Sequence, residues 1–137
     1  MTQKAPQDIV QKMMEKDAFS QWLGIEVIEV KPNSVIIKMQ IRSDMVNGFG
    51  TCHGGITYSF ADSALAFASN THGNITVSID NSISYPFAVY IDDILTAKAI
   101  QKSDNKAIAV YNVEVSNQKE QVVALFRGTV YKTKKQH

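Results

Sequence analysis

Apolar positions along the chain follow two periods. Ile9, Val10, Met13 and Met14 recur at helical spacing and predict a short amphipathic helix over residues 6–19, inside an N-terminal helical segment 1–20. After Gly24 the pattern alternates. Ile25, Val27, Ile28 and Val30 lead into a Lys31-Pro32-Asn33-Ser34 turn, and Val35, Ile37, Met39 and Ile41 then alternate with Ile36, Lys38, Gln40 and Arg42. These two strands are expected to pair as a hairpin. Residues 43–54 hold turn formers, Asn47-Gly48 and Gly50 among them, and have no clear period, so they read as a loop.

A second helix is expected from Gly54 or Gly55 to Thr71, within a segment 54–72, with His72-Gly73-Asn74 as its stop. It is apolar or small almost all round, as in a helix enclosed by other structure. From Ile75 the pattern is all strand: 75–85, 93–102, 106–117 and 121–132, separated at Tyr85-Pro86, Ser103-Asp104-Asn105 and Asn117-Gln118. Lys132, Lys134 and Lys135 read as a solvated tail. The order of elements predicts an α+β fold over 1–137, a single domain in which an antiparallel sheet curls around one buried helix.

Composition narrows the function. At 137 residues with 45% hydrophobic content, the chain suits one compact domain. A formal net charge of +1 gives no pull toward nucleic acid or a membrane surface. No apolar run approaches the roughly 20 residues that span a bilayer, and Met1 to Gln11 lack the apolar core of a signal peptide. The lone Cys52 excludes an intrachain disulfide and every multi-cysteine metal motif. A cytoplasmic enzyme or binding module is expected, with no metal.

Within the buried helix one acidic residue, Asp62, stands alone in the uncharged run from Cys52 to Asn70. A buried carboxylate is costly unless it is paired or used. The same helix begins at His53-Gly54-Gly55, and helix starts present free backbone N–H groups to anions. A carboxylate and an oxyanion-binding helix start are what ester or thioester hydrolysis needs. The alternative readings are structural: Asp62 as a capping or pairing group in an interface, Gly54 and Gly55 as turn formers.

The motif Asn47-Gly48-x-Gly50-x-x-His53-Gly54-Gly55, followed by Ala61-Asp62-Ser63-Ala64, resembles the PaaI-type hotdog thioesterases, the phenylacetic acid degradation branch of the acyl-CoA thioesterases. The similarity extends through Asn112-Val113-Glu114 and Ala124-Leu125-Phe126-Arg127-Gly128. It implies the hotdog fold and hydrolysis of a coenzyme A thioester, with no metal and no bound cofactor, since coenzyme A is part of the substrate. Phenylacetyl-CoA and hydroxyphenylacetyl-CoA are the substrates it suggests. It also implies homodimers, paired into tetramers. By position it makes Asp62 the catalytic carboxylate and the Gly54 N–H the donor to the thioester carbonyl. Asn47, His53 and Gly55 shape the site, and Ser78 matches a water-positioning serine of some relatives. Two departures stand out: Tyr85-Pro86-Phe87-Ala88-Val89-Tyr90-Ile91-Asp92-Asp93 lacks the family's Arg-Pro pair and Gly-Asp turn, and Lys16 replaces an asparagine. Substrate selection is therefore not carried over.

Gly54 and Asp62 are eight positions apart, ~12 Å along a helix axis. One carbonyl cannot meet both within ~3 Å. If both act, they come from different subunits of a two-fold dimer. Whether Asp62 attacks directly or activates water stays open. Asn47 before Gly48 is also a plain turn signature, and Ser78 is equally a hydrogen-bonded strand serine. Cys52 beside His53 reads as a small buried thiol rather than a nucleophile. Phe60, Phe67 and Tyr58 read as core. Competing functions are an acyl-CoA-binding module without turnover and a hotdog hydratase or dehydratase. The latter is disfavoured by the absence of a helical His near Asp62.

Overall fold

The computed structural model describes residues 4–137, so residues 1–3 of the expected segment 1–20 lie outside the described residues. In chain order the elements are α1 (Pro6–Lys16), α2 (Ala18–Leu23), β1 (Glu26–Lys31), β2 (Ser34–Gln40), a 3-10 turn (Ser43–Met45), α3 (Gly54–Asn70), β3 (Asn74–Ser84), β4 (Ile94–Asp104), β5 (Ile108–Ser116) and β6 (Val122–Gln136). Among the described residues the strands form one sheet in the order β1-β2-β4-β5-β6-β3. Every neighbouring pair is antiparallel. The α+β architecture expected from the sequence is therefore the one observed.

Helix α3 lies against β2, β3, β4, β5 and β6, so the sheet curls around it. The alternation of β2 places Val35, Ile37 and Met39 on the inner face, joined by Leu95, Ala97 and Ala99 from β4 and Ala109, Tyr111, Val113 and Val115 from β5. Small residues on both surfaces let helix and sheet approach closely: Ala61, Ala64 and Ala68 on α3 are fully buried, as are Ala97 and Ala99 opposite. Phe60 and Phe67 are fully buried too, each contributing about 1.5–3 kcal/mol of apolar transfer. They are core residues. Gly128 on β6 marks the tightest point, because a Cβ there would collide with Leu65 of α3 and lie 2.9 Å from Asn81 Oδ1.

The expected helix 6–19 is two helices. Asp17 leaves the helical region (φ −93°, ψ 83°) and its carboxylate accepts from the Ser20 N–H at 3.0 Å and the Ser20 hydroxyl at 2.5 Å. An aspartate at such a junction offers the next helix an N-cap that a continuous helix would forgo. Helix α2 then stops at Gly24, whose left-handed backbone (φ 77°) closes it. The Ser20 hydroxyl also lies 2.8 Å from that of Ser63, fixing α2 to the central helix one residue from Asp62.

Lys132 is not part of a solvated tail. β6 continues to Gln136 by pairing with β3, and Lys132 forms an ion pair with Asp104 while donating to the Asn105 carbonyl at 2.7 Å. Lys134 and Lys135 are exposed. No helix among the described residues is long and apolar enough to cross a membrane.

Candidate active site

The candidate residues lie at two places along α3. At the helix start, residues 43–53 fold back on themselves: the His53 N–H donates to the Met45 carbonyl at 2.8 Å, and Val46 bridges Cys52. Asn47 organises this loop, its Oδ1 accepting from the Phe49 and Thr51 amides at 2.9 and 3.2 Å. The bonds of Asn47 thus serve its own loop. His53 is the N-cap of α3, with Nδ1 accepting from the Gly55 N–H at 2.8 Å. Gly55 accordingly has its donor engaged within the chain, so its amide is not the one left for a substrate oxygen. The Gly54 N–H, the first of the helix, donates to no group among the described residues.

Two turns further on, Asp62 is half-buried on the face of α3 that meets β3. Asn81 of β3 reaches it, with Nδ2 3.3 Å from Asp62 Oδ1 and 3.0 Å from the Tyr58 hydroxyl. Asn81 Oδ1 accepts from the Ser78 hydroxyl at 2.8 Å. Ser78 therefore belongs to the Asp62 neighbourhood through Asn81. Burial raises the Asp62 carboxyl above its ordinary range, and the Asn81 bond partly opposes that rise. A carboxylate so placed is a stronger base than one in water.

Helix α3 is continuous from Gly54 to Asn70, which holds the free amide and the carboxylate ~12 Å apart. A groove of about 570 Å³ between α1 and β1, lined by Val10, Met14, Val27, Ile28 and Val30, includes neither group. Among the described residues no cluster of three His, Cys, Asp or Glu side chains is placed to hold a metal ion. Cys52 is buried, its Sγ 3.8 Å from the Thr57 hydroxyl, and burial pushes its thiol up, so it stays protonated.

Two residues that contact these groups, Asn81 and Tyr85, are not apparent from the sequence. Asn81 has a weak signal: Asp80-Asn81 is polar and β-averse inside an eleven-residue strand. Tyr85 has none beyond its place before Pro86. Its hydroxyl donates to the Gly54 carbonyl at 2.8 Å, and its ring lies against Gly54, where a Cβ would approach within 3.3 Å.

The thioesterase superfamily model matches residues 49–124, the span from the loop of Asn47 to β6. The chain is 37% identical over 128 residues to the acyl-coenzyme A thioesterase PaaI of Escherichia coli, covering 93% of this chain and 91% of that protein. The structure of the E. coli PaaI protein superposes with a TM-score of 0.94 at 33% identity, over 96% and 95% of the two chains. Human acyl-coenzyme A thioesterase 13 is 30% identical over 122 residues, 85% of each chain. A Streptococcus mutans protein solved with bound acetyl CoA matches at TM-score 0.80 and 25% identity, over 82% of this chain and 91% of that one.

Proposed function

Because the chain belongs to the thioesterase superfamily, it is a thioester hydrolase, and we propose that it cleaves acyl-coenzyme A thioesters at a site shared by two copies of the chain. The substrate class is supported by the acyl-coenzyme A thioesterases among its relatives and by the acetyl-CoA-bound neighbour. The observation that carries the shared site is the unbroken helix α3, which separates Gly54 from Asp62.

In this reading Asp62 of one protomer faces the Gly54 N–H of its partner. Water adds to the thioester carbonyl with Asp62 as base, or Asp62 adds first and water releases the acyl group. In either case the C–S bond breaks, and coenzyme A leaves as the thiol after taking up a proton. The carbonyl oxygen gains charge as the tetrahedral centre forms, and the Gly54 amide is positioned to receive it. Loss of one such donor typically lowers the rate ~10²–10³-fold.

The edge strand β3 is the natural seam. It carries Asn81 and Ser78 beside Asp62, its outer edge has no strand partner among the described residues, and Val77 and Ile79 are 46% and 56% exposed along it. Open edges with apolar side chains pair readily with another strand. A second copy adding its own β3 would bring its helix start toward Asp62.

Thiol release from a panel of acyl-CoAs, phenylacetyl-CoA and hydroxyphenylacetyl-CoA included, tests the reading with wild type and Asp62→Asn in parallel. Turnover that disappears in the variant is expected. Wild-type binding of acyl-CoA without thiol release would point instead to a binding module.

A further inference from the structure

The helix start contains two consecutive glycines, the residues least able to hold their own backbone direction. Yet the groups around the candidate donor are nearly all committed. The His53 carbonyl accepts from the Ile56 N–H at 2.9 Å. The Gly55 N–H donates to His53 Nδ1 at 2.8 Å, and the Gly54 carbonyl accepts from the Tyr85 hydroxyl at 2.8 Å. Gly54 C=O and Gly55 N–H belong to one peptide unit, so that unit is gripped at both ends by side chains.

Tyr85 is itself held from both directions. Ser84 before it pairs with Leu125 in the β3–β6 ladder. After it, the connecting segment is pinned where the Val89 carbonyl accepts from the Cys52 N–H at 2.7 Å, and where Asp92 and Asp93 exchange backbone bonds with Ile41 at 2.8 and 2.9 Å. Val89 is buried at the first of these points. The Tyr85 ring is half-exposed, and its inner face leaves no slack at Gly54. A tyrosine hydroxyl, ordinarily titrating near 10, is a donor at neutral pH, and burial, with Tyr58 and Cys52 adding to it, shifts this one further up.

We propose that Tyr85 is a positioning residue for thioester hydrolysis, locking the Gly54–Gly55 peptide so that the adjacent Gly54 N–H is aimed at the developing oxyanion. The inference rests on the reading of Gly54 as the oxyanion donor. Its logic is preorganisation: a donor fixed before the reaction needs no reorientation as charge develops. The benefit falls on the tetrahedral stage rather than on substrate binding, because the ground-state carbonyl carries little charge.

Tyr85→Phe removes the hydroxyl and keeps the ring. The expected result is a kcat about tenfold lower, the scale of one hydrogen bond, with KM within about twofold and an unchanged melting temperature. A trifluoromethyl ketone analogue of the acyl-CoA, which presents a tetrahedral oxygen, should lose affinity in step with kcat/KM. A thioether analogue lacking that oxygen should bind the variant as it binds wild type. Equal loss of affinity for both analogues would mean a structural role and overturn the proposal. So would a wild-type kcat in Tyr85→Phe alongside an inactive Asp62→Asn, which would leave the site reading standing. Wild-type rates in both variants would instead remove the site reading itself.

Discussion

Asn81 Nδ2 lies 3.3 Å from Asp62 Oδ1, so an amide on the edge strand β3 reaches the carboxylate in the middle of the central helix. The same amide group holds Tyr58, and its oxygen holds Ser78. Asn81 thus steers the carboxylate and moderates its protonation.

This contact fixes the direction of a pH effect. Burial raises the Asp62 carboxyl, and the Asn81 bond lowers it. In the proposed reaction Asp62 acts deprotonated, as base or as nucleophile, so kcat/KM should fall on the acid side as it takes up a proton. Asn81→Ala removes the lowering influence and should move that acid limb to higher pH. Ser78→Ala, which loses only the outer bond, should move it less. A limb that stays put or moves to lower pH in Asn81→Ala would contradict the assignment.

Asp62 also has a stability signature. A carboxyl whose folded value is raised holds its proton in the native chain over a pH window where the unfolded chain has released it. Stability therefore declines as pH rises from the ordinary aspartate value near 3.8 through the raised folded value. At pH 7 the ionised Asp62 costs stability, and Asp62→Asn should melt at a higher temperature than wild type while losing its turnover. The gap should narrow below pH 4, as Asp62 becomes neutral in both states. Paired thermal melts at pH 7 and below pH 4 check both signs.

Gly128→Ala should destabilise the fold and disturb the site together. The added methyl meets Leu65 in the core and the Asn81 oxygen on β3. Overpacking of this kind costs about 1–3 kcal/mol. A lowered denaturation midpoint with reduced kcat is expected. A neutral effect on both would mean that the sheet is free to move away from α3 there.

The sheet and its helix were legible because the alternation in residues such as Val35, Ile37 and Met39 and the all-round apolar run of α3 each admit one burial pattern. The break at Asp17 was not, because Met13 and Met14 sustain the helical period up to the junction while one carboxylate, capping Ser20, decides it. The end of β6 was hidden by lysines, although Lys132 pairs with Asp104 across strands. At the site, Asp62 and Gly54 stood out as a charge in an apolar run and a glycine at a helix start. Asn81 and Tyr85 did not, because their contacts join residues 19 and 31 positions apart, and such pairs arise only from folding.

The two-chain site is tested most directly by mixing two inactive proteins. Asp62→Asn removes the carboxylate. Gly54→Pro removes the amide hydrogen, and proline suits the first helical position. His53 already has the extended backbone (φ −61°, ψ 132°) that suits a residue before proline, and a Cβ at position 54 would press on the Tyr85 ring at 3.3 Å. Each homodimer should be inactive, whereas a heterodimer combines Asp62 of one chain with Gly54 of the other at one of its two sites. Random reassortment makes half the dimers mixed, each with one intact site, so thiol release should return to about a quarter of the wild-type rate. Verified heterodimers with no recovered activity would contradict a site built from two chains.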